Sequence, residues 1–78
     1  MAVLDPNNGR QMAIQNLING NLKAAKAYAR HFSGLALIDT AENDFGFSLE
    51  RATAAARYLK AAPQSRQRMW DWYCSIPA

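Results

Sequence analysis

The chain has few of the residues from which active sites and cross-links are built. Its 78 residues include one cysteine, Cys74, and one histidine, His31. A single cysteine excludes an intramolecular disulfide and a multi-cysteine zinc site, and it fits a reducing compartment. A thiol nucleophile would need His31 beside Cys74, and neither a glycine-rich phosphate loop nor a nucleophile elbow is present. We therefore expect no enzyme activity, no cofactor and no bound metal.

Long apolar runs are missing too. No stretch approaches the roughly 18–20 apolar residues that span a bilayer, and residues 1–6 have neither the basic region nor the apolar core of a secretory signal. We expect a cytoplasmic protein that does not enter membranes. A chain this short makes one domain, residues 1–78, and buries only about 60% of its unfolded surface. Its stability should be modest, so partner binding or self-association could supply the remainder.

What the chain does contain is apolar residues with helical spacing. Half of the residues are hydrophobic and the net charge is only +3, which argues against disorder. Much of the hydrophobic content is alanine, the strongest helix former. Apolar spacing predicts helices over residues 9–19, 22–32, 49–61 and from Pro63 or Ser65 to about residue 74. Their predicted inward residues are Ala13, Ile14, Leu17 and Ile18; Leu22, Ala25, Tyr28, Ala29 and Phe32; and Leu49, Ala52, Ala55, Ala56 and Leu59, with Gln11 outside the first group.

Polar residues and glycines mark the ends of these helices. The candidate N-caps are Asp5, Asn7 or Asn8 for the first helix, then Asn21 and Ser48. Gly20 has the position of a left-handed C-terminal residue. Residues 35–38 are ambiguous, because four apolar residues in a row suit a buried strand or a buried helical turn. No second strand candidate exists to pair with them, so we favour a helix over residues 35–43, capped by Ser33. The fold is predicted to be an all-α bundle of four or five short helices.

Two segments resemble each other at a separation of 27 residues. Residues 21–32 align with residues 48–59, since a cap, a leucine, three alanines, an arginine and a closing apolar residue match in kind at aligned positions. A duplicated helical hairpin would explain the match. Alanine-rich amphipathic helices also resemble each other without common origin, and two units are too few for a solenoid.

The last segment, residues 66–76, holds both tryptophans. Met69, Trp72, Tyr73 and Ile76 share one helical face, and Trp70 is about 100° from Met69. One interpretation is that Trp70, Trp72 and Tyr73 form the core on which the alanine-faced helices close. Not all of these side chains can point inward, however, so one tryptophan should be exposed, and we favour Trp70 with Arg66 one turn earlier. Tryptophan beside arginine is typical of binding hot spots. The predicted partner-binding residues are Arg66, Arg68, Trp70 and Trp72, whereas Cys74 is predicted to be a small buried residue.

The charged residues form groups of opposite sign. Basic residues that could contact nucleic acid or an acidic partner are Lys23, Lys26, Arg30, Arg57 and Lys60. The alternative is a solvated basic face that aids solubility. Acidic residues that could contact a basic partner are Asp39, Glu42 and Asp44, and they lack the ligand spacing of an EF-hand. No polar recognition helix of a helix-turn-helix is apparent.

These observations favour a non-enzymatic protein-binding module. We expect a small stand-alone adaptor or inhibitor that covers a surface of a larger protein complex, such as a host or nucleic-acid-processing complex. Small phage or mobile-element proteins that block a host complex are one natural source. The alternative is a nucleic-acid-binding protein that uses its basic helix faces, since the pI is about 9.4. A third option is a homodimer formed through the aromatic tail.

Overall fold

The computed structural model describes residues 8–77, and these residues form α-helices without any strand. The five helices within them are α1 Gly9–Ile18, α2 Leu22–Ala29, α3 Gly34–Phe45, α4 Leu49–Lys60 and α5 Arg66–Ser75, with a 3₁₀ turn Pro63–Ser65 before α5. The prediction of an all-α bundle is confirmed, and residues 35–38 are helical rather than extended. Of the three cap candidates for α1, Asp5 and Asn7 lie outside the described residues.

N-caps were predicted for four helices, and three of them form the expected hydrogen bonds. Asn8 accepts hydrogen bonds from the backbone of Arg10 and Gln11, Ser33 from Ala36, and Ser48 from Arg51. These side chains satisfy amide groups that have no partner inside a helix. The predicted cap Asn21 makes no such bond, because its backbone (φ −87°, ψ 75°) departs from the extended conformation of the other caps.

The helix ends explain where the predicted boundaries fail. Gly20 has φ +81°, as its position predicts, and Gly46 ends α3 with φ +71°, a conformation that glycine adopts without strain. Helix α2 was predicted to reach Phe32 but ends at Ala29. The chain tightens there, since His31 and Phe32 donate to carbonyls three residues earlier, those of Tyr28 and Ala29.

Helices α1 and α2 pack as one hairpin and α3 and α4 as another, and α5 packs on α4. The hairpins meet through α1 with α3 and α2 with α4. Helix α4 is therefore in contact with three others, and its buried residues include Ala54 and Tyr58 in addition to the predicted alanines and Leu59. Small side chains let helix backbones approach closely, so the alanines of α4 suit its central position.

The two hairpins match the 27-residue similarity. Ala25 and Ala29 of α2 are fully buried, and their counterparts in α4, Ala52 and Ala56, are at most 2% exposed. Each hairpin also has a left-handed glycine between its helices. The duplication itself stays a prediction, and the structure places the matching residues in matching environments.

Several predicted inward residues lie at the surface. Ile18 and Leu49 are 44% and 64% exposed, because they are terminal residues of α1 and α4, where neighbouring helices no longer cover them. Tyr28 is 38% exposed. The opposite error concerns Gln11, which is buried rather than outside the apolar face.

The helices are short. The longest, α3 and α4, have 12 residues each, or about 18 Å. Across residues 8–77, no helix combines the length and apolar character that crossing a membrane requires.

Candidate functional site

An open groove runs between the start of α2, the end of α4 and the first turns of α5. We call it the aromatic groove, and its volume is about 400 Å³. It is lined by Leu22, Tyr58, Pro63, Arg66, Gln67 and Trp70. This is the place where the predicted pair Arg66 and Trp70 comes together with side chains from other helices.

Local geometry positions the α5 side of the groove. Pro63 begins the 3₁₀ turn, where its fixed φ is favourable and its missing N–H is not needed. Arg66 and Trp70 are four residues apart and so lie one above the other on the helix surface. The chain therefore presents a cation and an indole side by side without a long-range contact.

Aromatic packing fixes the floor of the groove. The rings of Tyr58 and Trp70 are 5.0 Å apart at 51°, and those of Trp70 and Tyr73 are 5.6 Å apart at 31°. The Lys26 ammonium lies 5.0 Å from the Tyr58 ring centroid, within range of a cation–π contact. Trp70 thus joins α5 to α4, and Lys26 adds positive charge from α2.

Arg51 continues this row of rings at the other side. Its guanidinium is 4.3 Å from the Phe47 ring centroid and 5.5 Å from that of Tyr73. It also donates a hydrogen bond of 3.3 Å to the Tyr73 hydroxyl. These contacts hold α5 against α4, so Arg51 has a structural role and leaves the groove to Arg66 and Lys26.

Arg66 has unused hydrogen-bonding capacity in the groove. It is half-buried, and its Nε atom is enclosed without a hydrogen-bond partner among residues 8–77. A guanidinium has five N–H donors and no acceptor. An acceptor brought by another molecule could therefore pair with it.

The structure corrects two predictions for α5, the exposure of Trp70 and the burial of Cys74. Trp70 is half-buried rather than exposed, because it packs between two tyrosines. Trp72 is half-buried against the core and does not line the groove, and its role in partner binding stays a prediction. Cys74 is exposed rather than buried, since it follows the buried Tyr73 by one residue and a helix turns about 100° per residue.

The predicted basic residues lie on α2, at its end, on α4 and on α5. Lys26 lies at the aromatic groove, and Lys23, Arg30 and Arg68 are exposed. Arg57 and Lys60 are exposed on α4 beside a second groove that faces α3. The Lys60 ammonium donates to the Ala29 carbonyl at 3.4 Å, at the end of α2. Lys60 therefore lies beside the end of α2, where Arg30 directly follows Ala29.

The predicted acidic group also divides. Asp44 points toward α1 and accepts a 3.0 Å hydrogen bond from Gln11 Nε2, whereas Asp39 is exposed and accepts one of 2.6 Å from Asn43. Glu42 is half-buried. His31 is exposed after the end of α2. In the part of the chain that the structure describes, no three histidine, cysteine, aspartate or glutamate side chains are grouped to hold a metal.

Four residues of the groove were not predicted as site residues: Leu22, Tyr58, Pro63 and Gln67. Tyr58 could have been found, because it is three residues after the buried Ala55 on an alanine-rich helix. Leu22 could not, because its distance from α5 depends on how the two hairpins meet.

Comparison with known protein families, curated proteins and solved structures finds no match in any of the three. The groove therefore has to be interpreted from its own chemistry: apolar and aromatic surface, two nearby cations and an amide.

Proposed function

We propose that the chain is a non-enzymatic protein-binding module, a small adaptor or inhibitor acting in the cytoplasm, and that the aromatic groove holds its partner. The observation that carries the proposal is the pairing of Arg66 with Trp70 in an open groove. Tryptophan, tyrosine and arginine are the residue types enriched at binding hot spots. The target is a surface of a larger protein complex, for example a host complex blocked by a phage or mobile-element protein.

The chemistry of the groove supports a particular kind of contact. Leu22, Tyr58 and Trp70 provide apolar surface for one partner side chain, while Arg66 and Lys26 favour a carboxylate or carbonyl beside it. The enclosed Arg66 Nε has no hydrogen-bond partner among residues 8–77, and an unpaired buried donor is unfavourable. A partner acceptor could pair with it after a small shift of the guanidinium.

Arg66→Glu is the variant that tests the groove, with Arg68→Glu as its matched control. Both positions lie in the first turn of α5, where a carboxylate is favourable, and both changes alter the net charge equally. Only Arg66 lines the groove. Far-UV circular dichroism of both variants should match that of the wild type.

The experiment begins with capture from a nuclease-treated bacterial lysate, after which the affinity of the captured protein is measured with purified components. We expect Arg66→Glu to weaken binding about tenfold or more, equivalent to about 1.4 kcal/mol or more. Arg68→Glu should change it by less than about threefold. Equal losses in the two variants would contradict a role for the groove.

The alternative function is nucleic-acid binding by the same groove. An aromatic ring flanked by cations is also how proteins hold unpaired bases, and Lys26 and Arg66 flank Tyr58 and Trp70 here. Affinity for a single-stranded oligonucleotide would then fall steeply with salt. Capture that disappears after nuclease treatment, with such a salt dependence, would favour this alternative over the protein-binding module.

A further inference from the structure

The second groove lies on the α3–α4 hairpin, away from the aromatic groove. We call it the hairpin groove; its volume is about 400 Å³. It is lined by Ser33, Gly34, Leu35, Ile38, Thr53, Ala56, Arg57 and Lys60. Leu35 is 79% exposed, more than any other large hydrophobic residue in the described part of the chain. Covering an exposed leucine at the edge of an apolar groove is favourable, because it removes apolar surface from water.

Charges of opposite sign flank this apolar strip. On α3, Ile38 is about 60° to one side of Leu35 and Asp39 about 40° to the other. Ile38 faces α4 across the groove, so Asp39 lies on the flank away from α4. Arg57 and Lys60 lie on the α4 flank. At the level of Leu35 and Ile38, the order across the surface is therefore acidic, apolar, basic. The half-buried Glu42 follows Ile38 by one turn on the same row and lies outside the groove lining.

Such a surface is complementary to itself. A two-fold axis through the row of Leu35 and Ile38 exchanges the two flanks, so Asp39 of one copy meets Arg57 of the other, twice. Closed two-fold dimers use the same patch on both subunits in this way. Asp39 is exposed and accepts a hydrogen bond from Asn43 of its own helix, and Arg57 is exposed, so both charges are available to a second copy.

We propose that the chain forms a two-fold homodimer through the hairpin groove, with Leu35 packed against Leu35 and Ile38 of the second copy. A uniformly acidic partner or an anionic membrane would meet Arg57 favourably but would be repelled by Asp39. A second copy presents both signs in the matching order. The helices of this face are only about 18 Å long, so the interface is small and the dimer is at the weak end of specific interfaces.

The proposal is independent of the proposed function, because the two grooves lie on different faces of α4. Tyr58 and Arg57 are adjacent in sequence but line different grooves. A dimer through the hairpin groove leaves two aromatic grooves open, so it can hold two copies of a target or one target twice.

Sedimentation velocity of the purified chain over a series of concentrations at low salt tests the dimer. Leu35→Glu should raise the dimer dissociation constant at least about tenfold. Leu49→Glu is the matched control, because Leu49 is also an exposed leucine in the first turn of a helix and does not line the groove. It should leave the dissociation constant within about twofold.

Charge reversal tests the pairing between copies. Asp39→Lys and Arg57→Glu should each weaken self-association about three- to tenfold, because each places like charges opposite one another twice. An equimolar mixture of the two variants should form a heterodimer at wild-type strength, since both pairs then have opposite charges. Ordinary surface damage would not be rescued by mixing.

Four results would overturn the proposal. In the first, the wild-type chain stays monomeric up to its solubility limit, and in the second, Leu35→Glu and Leu49→Glu have equal effects on the dimer. In the third, Arg66→Glu abolishes the dimer but Leu35→Glu does not. In the fourth, the monomer binds anionic vesicles and Leu35→Glu abolishes that binding. The third result would assign the interface to the aromatic groove, and the fourth would assign the hairpin groove to a membrane surface.

Discussion

At the scale of single residues, the most informative contact joins Gln11 to Asp44. Gln11 is 8% exposed and its Nε2 donates a 3.0 Å hydrogen bond to the Asp44 carboxylate. The bond links α1 to α3, and hydrogen bonds to charged groups contribute more than neutral ones. Polar residues at a helix–helix contact are stable only when they are paired in this way.

Gln11→Ala should lower the free energy of unfolding by about 1–3 kcal/mol, because Asp44 then keeps a partly buried carboxylate without this donor. Urea unfolding followed by circular dichroism measures the change. Gln15→Ala is the control, since Gln15 is in the same helix and its hydrogen bond to Asn19 is exposed; the expected change is below about 0.5 kcal/mol. Equal effects of the two substitutions would argue against the contact with Asp44.

The sequence contained part of the information about Gln11. It is three residues before Ile14, and therefore on the same helical face, but its polarity argued for an exposed position. The packing of α1 against α3 brings the Asp44 carboxylate to it. The same applies to Cys74 in the opposite sense, since its apolar character argued for burial and its position on α5 exposes it.

At the scale of elements, α5 depends on its aromatic contacts with α4. Trp70 lies between Tyr58 and Tyr73, and Arg51 reaches across from α4 to the Tyr73 hydroxyl. The sequence predicted that the aromatic residues of α5 close the core, and it predicted an exposed role for Trp70. In the structure, Trp70 packs between the two tyrosines, and the part of its side chain that lines the aromatic groove can still contact the proposed partner.

Trp70→Ala should destabilise the fold by about 2–3 kcal/mol, somewhat less than a fully buried tryptophan because Trp70 is half-buried. Chemical denaturation of this variant gives the value. Arg68→Ala, an exposed change in the same helix, should stay within about 0.5 kcal/mol. A loss below about 1 kcal/mol for Trp70→Ala would indicate that the indole is not packed between the tyrosines. It would then favour the prediction that Trp70 is an exposed binding residue.

At the scale of the whole molecule, α4 connects the other helices. It contacts α2, α3 and α5, while α1 is joined through α2 and α3. The buried hydrophobic residues among residues 8–77 form one cluster, so none of these helices has a core of its own. A chain organised in this way should unfold in a single step.

Both tryptophans are in α5, so their fluorescence reports on α5 while far-UV circular dichroism reports on all the helices. We expect the urea midpoints of the two signals to coincide within error. A fluorescence transition at clearly lower urea would show that α5 detaches before the two hairpins unfold, and the single-step view of the molecule would then be wrong.

Helix content, most caps and the left-handed glycines were predictable because they depend on residues within about one turn of each other. Asn8, Ser33 and Ser48 cap their helices by accepting hydrogen bonds from nearby backbone amides. At the end of α3, the Gly46 N–H donates a hydrogen bond to the Glu42 carbonyl. These local interactions hold whatever the helices pack against. The sequence alone therefore determined the all-α class and the approximate helix boundaries.

The grooves were decided by tertiary structure. Arg66 and Trp70 were adjacent by helical spacing, but Leu22 and Tyr58 join them only because α2 and α4 pack beside α5. Likewise, Leu35 and Arg57 form one surface only because α3 and α4 make a hairpin. Burial and charge complementarity depend on contacts between residues distant in the chain, and helical spacing describes only one helix at a time.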